Sequence, residues 1–132
     1  MKRPDRTDTG RTPTDIRLRR RSRLLEVTFD DGERFELPAE YLRVYSPSAE
    51  VRGHGPGQEV LQVDKENVNI DDVQPVGQYA VRLLFDDGHN TGLYSWDLLY
   101  DLGKHRAKYW QDYLEALAEA GYSRHARDDH DA

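Results

Sequence analysis

Cysteine is absent from this 132-residue chain. That excludes disulfides, thiolate-ligated zinc and cysteine-held iron–sulfur clusters, and it leaves the redox compartment open. No apolar run approaches the ~20 residues that cross a bilayer as a helix, and the opening Met1-Lys2-Arg3-Pro4-Asp5 has no apolar stretch of a secretory signal. The expectation is a cytoplasmic protein without a membrane partner. Nucleophile elbows, phosphate loops and zinc-ligand spacings are also missing. Gly53-His54-Gly55-Pro56-Gly57 is rich in glycine but lacks the Lys-Ser/Thr pair and the strand-to-helix setting of a phosphate loop, and reads as a flexible loop.

Positive charge is scarce outside one segment. Residues 1–23 hold nine Lys/Arg against three Asp/Glu, a net of +6, and residues 24–132 hold ten against 22, a net of −12; together they give the overall −6. An acidic body repels nucleic-acid phosphates, so RNA or DNA could meet only the basic segment. Residues 1–22 contain almost no apolar side chain beyond Ile16 and Leu18, so they read as a disordered basic arm. Within and beside it, Arg17, Arg19, Arg20, Arg21 and Arg23 form the one patch suited to nucleic acid or a partner.

What the chain does contain is one phrase used twice. Val27-Thr28-Phe29-Asp30-Asp31-Gly32 returns 56 residues later as Leu83-Leu84-Phe85-Asp86-Asp87-Gly88. Each copy leads through a short extended run to Leu37 or Leu93 and then to a helical piece. Because a one-residue slip turns every side chain to the wrong face, the apolar pattern fixes a three-residue loop. That loop pairs Val27 with Phe35 and Leu25 with Leu37. In the second copy it pairs Phe85 with His89 and Val81 with Leu93. The loop needs a left-handed residue at Gly32 and Gly88, where the missing Cβ removes the clash.

Around these hairpins the signals are coarser. Pro38, with its preset φ, supports a short helix over 38–43. Residues 44–57 read as an irregular loop, 60–63 and 68–70 as short strands, and Pro75 and Gly77 as breaks before the second hairpin at 78–94. Ser95 caps a helix from Trp96 to Leu102 that Gly103 closes. A longer helix spans 104–120 with Ala107, Trp110, Leu114, Leu117 and Gly121 on its buried stripe. The predicted fold is α+β: a small single domain over 23–121, made of two hairpin-plus-helix pseudo-repeats with the C-terminal helix packed on the sheet. Residues 122–132 form a mobile tail.

Candidate chemistry is thin. Asp30-Asp31 and Asp86-Asp87 lie in tight turns, where Asp side chains bond local backbone. The aromatic set from Tyr94 to Tyr113 reads as core with a polar rim. Of five histidines, His54 and His89 are the pair a fold could bring together, and with Glu50 they could hold Fe(II) or Zn(II). The alternative is a loop histidine and a hairpin histidine bonded to the backbone.

The run Phe85-Asp86-Asp87-Gly88-His89-Asn90-Thr91-Gly92-Leu93-Tyr94-Ser95-Trp96 resembles the aspartate–glycine–histidine signature of the gamma-butyrobetaine hydroxylase-like N-terminal domain family. Val27 to Gly32 and Leu37-Pro38-Ala39-Glu40-Tyr41-Leu42-Arg43 are similar to the same family, so the resemblance spans residues 22–121. In full hydroxylases this domain precedes a catalytic double-stranded β-helix, for which too few residues follow here. The resemblance also implies a structural zinc held by three cysteines and the signature histidine. Those positions correspond here to Ser46, Ser48, Val51 and His89, so all three thiolates are lost. Related domains occur attached to P-loop iron–sulfur cluster carriers. The resulting expectation is a non-catalytic accessory or interaction domain with an unknown protein partner, linked to iron or iron–sulfur proteins, and without a resident cofactor. One alternative is a mononuclear protein binding iron or zinc weakly through His89 with His54 or Glu50. A weaker one is an RNA-associated protein acting through the arginine arm.

Overall fold

The computed structural model describes residues 10–53 and 60–124. Its elements are β1 (Pro13–Arg19), β2 (Leu24–Phe29), β3 (Arg34–Pro38), α1 (Ala39–Val44), α2 (Ala49–Arg52), β4 (Ile70–Val76), β5 (Ala80–Phe85), β6 (Leu93–Ser95), α3 (Trp96–Lys104) and α4 (Arg106–Glu119). They form two three-stranded antiparallel sheets, ordered β1-β2-β3 and β4-β5-β6, with four helices. The class is α+β.

The repeat is larger than the hairpins. Each half is a strand, a hairpin and a helix, and the two halves share backbone bonds at matching positions. Asp30 N–H donates to the Thr12 carbonyl and Asp86 N–H to that of Asn69, both at 2.9 Å. Ala39 N–H donates to Arg23 and Trp96 N–H to Tyr79. Both first strands carry a register shift near their start. Gly32 and Gly88 have φ of +89° and +90°, as the three-residue loops require.

The first hairpin keeps the expected register, Val27 against Phe35 and Leu25 against Leu37. The second keeps Phe85 with His89 at its loop but not Val81 with Leu93: Val81 faces Tyr94, and Leu93 faces Arg82. Residues 90–92 leave the ladder, which shifts β6 by one place and leaves Leu93 exposed while Tyr94 turns into the core. Pro75 lies inside β4, opposite Val81, where an edge strand tolerates the missing N–H. Residues 60–63 are not a strand, and the loop after α1 contains the short helix α2.

The basic segment is the clearest departure from expectation. Residues 13–19 are not disordered but form β1, with Ile16 and Leu18 packed against the core. Alternation turns those two side chains inward and Arg17 and Arg19 outward, so two apolar residues sufficed once β2 supplied a ladder. Residues 1–9 of the arm lie outside the described residues.

Leu25, Val27 and Phe29 of β2, Leu83 and Phe85 of β5, and Leu42, Leu99 and Leu102 of the helices fill the core. Five tyrosines are buried with them, and four of their hydroxyls donate to carbonyls: Tyr41 to Leu102, Tyr45 to Tyr109, Tyr94 to Leu42 and Tyr113 to Gln62, at 2.6–2.8 Å. A buried hydroxyl left without a partner costs about 1–3 kcal/mol, so these bonds fix how helices sit on sheets. On α4 the buried side chains are Tyr113 and Leu117; Trp110 and Leu114 are half-buried and Ala107 is exposed. The true stripe is thus rotated toward the tyrosines, which an aliphatic pattern under-weights. Helix α3 runs through Gly103, against which the Phe35 ring lies.

Candidate functional site

The second hairpin aims His89. Its loop closes with Phe85 N–H donating to the His89 carbonyl at 3.0 Å, and Asp87 Oδ1 accepts His89 N–H at 3.1 Å. The imidazole therefore points inward, beside the Phe85 ring, and only 5% of the residue is exposed. It meets the loop after α1. Ser46 Oγ is 2.8 Å from Nε2, and Glu50 Oε2 is 3.0 Å from Nδ1. Ser48 holds that loop in shape: its Oγ accepts Glu50 N–H and bonds Thr91 Oγ1 at 2.6 Å. Gly92 permits the approach, since a Cβ there would lie 2.5 Å from Ser46 Oγ.

The electrostatics fix the proton. Burial and the nearby Arg43 push the His89 pKa below its ordinary value, against the pull of Glu50 and Asp87. The ring is neutral at pH 7. Because the Glu50 carboxylate only accepts, Nδ1 carries the hydrogen and Nε2 accepts from the Ser46 hydroxyl. Ser46 Oγ in turn accepts Ser48 N–H at 3.2 Å. Next to it, Asp87 Oδ2 takes Arg43 Nε at 2.9 Å and Lys65 Nζ at 2.8 Å, while Arg43 Nη1 donates to Gln62 Oε1. Burial pushes Asp87 up, but the Lys65, His89 N–H and Arg43 contacts outweigh it and hold the carboxyl at about 2.

Asp31 occupies the same place in the first hairpin. It caps Glu33 N–H and accepts the Tyr100 hydroxyl at 2.6 Å. Tyr100 on α3 and Arg43 on α1 are equivalent positions of the repeat. Each half therefore clasps the hairpin tip of the other.

Ser46, His89 and Glu50 stand in the order of a nucleophile, a base and an orienting acid. Their burial is the reverse of what nucleophilic catalysis needs: Ser46 is 0% exposed, whereas the Glu50 side chain is 64% exposed. A substrate carbonyl could not reach the hydroxyl. The zinc set implied by the family does not fit either. Ser46 and Ser48 offer neutral hydroxyls in place of thiolates, Val51 has no donor, and Nε2 is occupied by Ser46. Among the described residues no group of three or more His, Cys, Asp or Glu is placed to hold a metal ion. Of the candidate ligands, Glu50 and His89 do meet, as a direct hydrogen-bonded pair; His54 lies outside the described residues.

Arg17, Arg19 and Arg20 of the basic segment are engaged with acids. Arg17 pairs with Asp15, Arg19 and Arg34 with the buried Glu26, and Arg20 with Asp71. Arg21 is exposed, and Arg23 turns the chain between β1 and β2 with φ +56°. Arg17 and Arg19 are thus compensated within their own sheet, and Arg20 by β4 of the other sheet. Sequence reasoning missed Arg43, Gln62 and the bidentate partnership of Glu40 with Arg124 across α1 and the C-terminal segment. The position of Arg43 in the repeat, opposite Tyr100, was the available signal.

The model of the family described as gamma-butyrobetaine hydroxylase-like, N-terminal, matches residues 16–100, from the middle of β1 to α3. The chain belongs to this family. No curated protein is significantly similar to it. Among solved structures, one NMR solution structure is 52% identical with a TM-score of 0.78, covering 95% of this chain and 92% of the other. A second NMR structure is 48% identical with a TM-score of 0.76, covering 90% and 94%. A crystal structure of a protein of unknown function in the DUF971 family, from Acidithiobacillus ferrooxidans ATCC 23270, is 41% identical with a TM-score of 0.56, covering 67% and 88%. These three structures share the fold of this chain. No helix among the described residues is long and apolar enough to cross a membrane.

Proposed function

We propose that this chain is a non-catalytic interaction domain that serves a protein partner. The observation that carries the reading is that Ser46 and His89 are buried and bonded to each other, with Glu50 holding the other ring nitrogen from the surface. The groups best suited to chemistry hold a hairpin to a loop, with both imidazole nitrogens engaged inside the chain. Asp31 and Asp87 likewise join the two halves. The partner class we infer is a protein of iron or iron–sulfur chemistry, a reading supported by the family resemblance. A fluorophosphonate probe tests the non-catalytic half. No adduct is expected, and stoichiometric labelling that Ser46→Ala abolishes would overturn it. Cross-linking in cells tests the other half: links should run from one face to one protein, and links scattered evenly over the surface would contradict it.

A further inference from the structure

Beyond α4, the Tyr122 N–H closes a turn on the Leu117 carbonyl at 2.9 Å, with Gly121 at φ +80°. Two residues later the Arg124 side chain reaches back to α1. Its Nε donates to Glu40 Oε2 at 2.7 Å and its Nη2 to Oε1, the bidentate geometry that a planar guanidinium makes and an ammonium does not. The guanidinium also lies over Trp110, 5.2 Å from the ring centroid. Trp110 in turn stands edge-on to Tyr41, at 81° with centroids 6.3 Å apart, so one ring face and a carboxylate hold the cation while Tyr41 backs the indole. The Glu40 side chain is only 8% exposed although it carries a charge, while Arg124 is 31% exposed. A cavity of about 500 Å³ continues beside it, walled by Pro38, Tyr41, Ala107 and Trp110. A buried carboxylate is costly without a cation, so Glu40 calls for an arginine whether that arginine comes from this chain or from another.

We propose that Glu40 and Trp110, backed by Tyr41, form an arginine-binding cage whose resident occupant is Arg124, and that the cage accepts an arginine from a partner protein when Arg124 withdraws. This deepens the interaction reading and rests on it. The cavity alongside suits an apolar residue adjacent to the partner's arginine. Arg124 follows the end of α4 by five residues, so as a tethered ligand it competes at an effective concentration of roughly millimolar order. The intact chain should therefore bind a free arginine probe weakly, and the emptied cage should bind it well.

The test uses the full chain and N-acetyl-arginine methylamide, read by NMR at the Trp110 indole N–H. Trp96, whose indole donates to the Gln78 carbonyl at 2.7 Å, serves as the internal control. Arg124→Ala should give a saturable shift at Trp110, with an apparent affinity roughly tenfold or more above that of the intact chain. Adding Glu40→Gln should abolish it, and the lysine analogue should bind more weakly. Should Arg124→Ala loosen the fold, Arg124→Gln is read in the same way. A folded Arg124 variant without a saturable shift, or a shift that survives Glu40→Gln, overturns the cage. If the cage fails while the partner cross-links described above persist, the interaction domain stands and only its arginine recognition is lost.

Discussion

Asp87→Asn is the most informative single change in this fold. Asparagine keeps an oxygen to cap His89 N–H, so the turn survives, but the charge opposite Arg43 and Lys65 is gone. The carboxyl is held at about 2 against an ordinary 3.8, and its side chain is 22% exposed. A displacement of that size corresponds to about 2 kcal/mol at neutral pH. Leaving the Arg43 guanidinium buried with only Gln62 as partner raises the cost, since breaking a buried pair from one side costs ~3–5 kcal/mol when fully desolvated. Partial exposure of Asp87 lowers it again. The expected loss is about 2–3 kcal/mol, or roughly 10 °C in Tm for a domain of this size. Urea denaturation of Asp87→Asn, Arg43→Met and the double variant measures it. The double variant should lose less than the sum of the singles by about 1 kcal/mol or more. A loss below ~0.5 kcal/mol for Asp87→Asn, or simple additivity, would refute the clasp between the halves.

Gly88→Ala and Gly32→Ala should each destabilise by about 1 kcal/mol in urea titrations, because a Cβ is penalised at φ near +90°; a neutral effect at either would deny the left-handed turn. Gly92→Ala should cost about 1–3 kcal/mol by driving Ser46 away from His89, and the chemical shifts of the His89 ring should move with it. Stability should also fall as pH drops below the ordinary histidine value of 6.5. The folded His89 pKa lies lower, so the unfolded chain binds the proton first and the contribution present above 6.5 is lost. Comparing urea midpoints at neutral and mildly acidic pH checks this, and His89→Gln should flatten that part of the profile. Asp87 adds a second decline, between its ordinary 3.8 and about 2.

The sequence was most legible where one face of a hairpin had to be buried. Val27–Phe35 and Leu25–Leu37 follow from alternation and a glycine turn, and the structure keeps both pairs. The second hairpin slipped by one because residues 90–92 leave the ladder to meet Ser46 and Ser48, a demand from another loop that local pattern does not express. β1 was hidden for the opposite reason. Its composition resembles an unfolded arm, and only the ladder with β2 and the acids Asp15, Glu26 and Asp71 make it a strand. At the site, His89 and its approach to Ser46 and Glu50 were legible through the family resemblance. Arg43 and Glu40 were not, because charged residues in helices ordinarily face solvent, and Gln62 was not, because only the tertiary fold buries that loop residue.

His89 is a structural strut between hairpin and loop, with both ring nitrogens engaged inside the chain. Elemental analysis of dialysed, tag-free protein, run beside His89→Ala, tests it most directly. Zinc and iron should both lie far below one equivalent per chain in both proteins. One tightly held metal per chain that disappears in His89→Ala would contradict it.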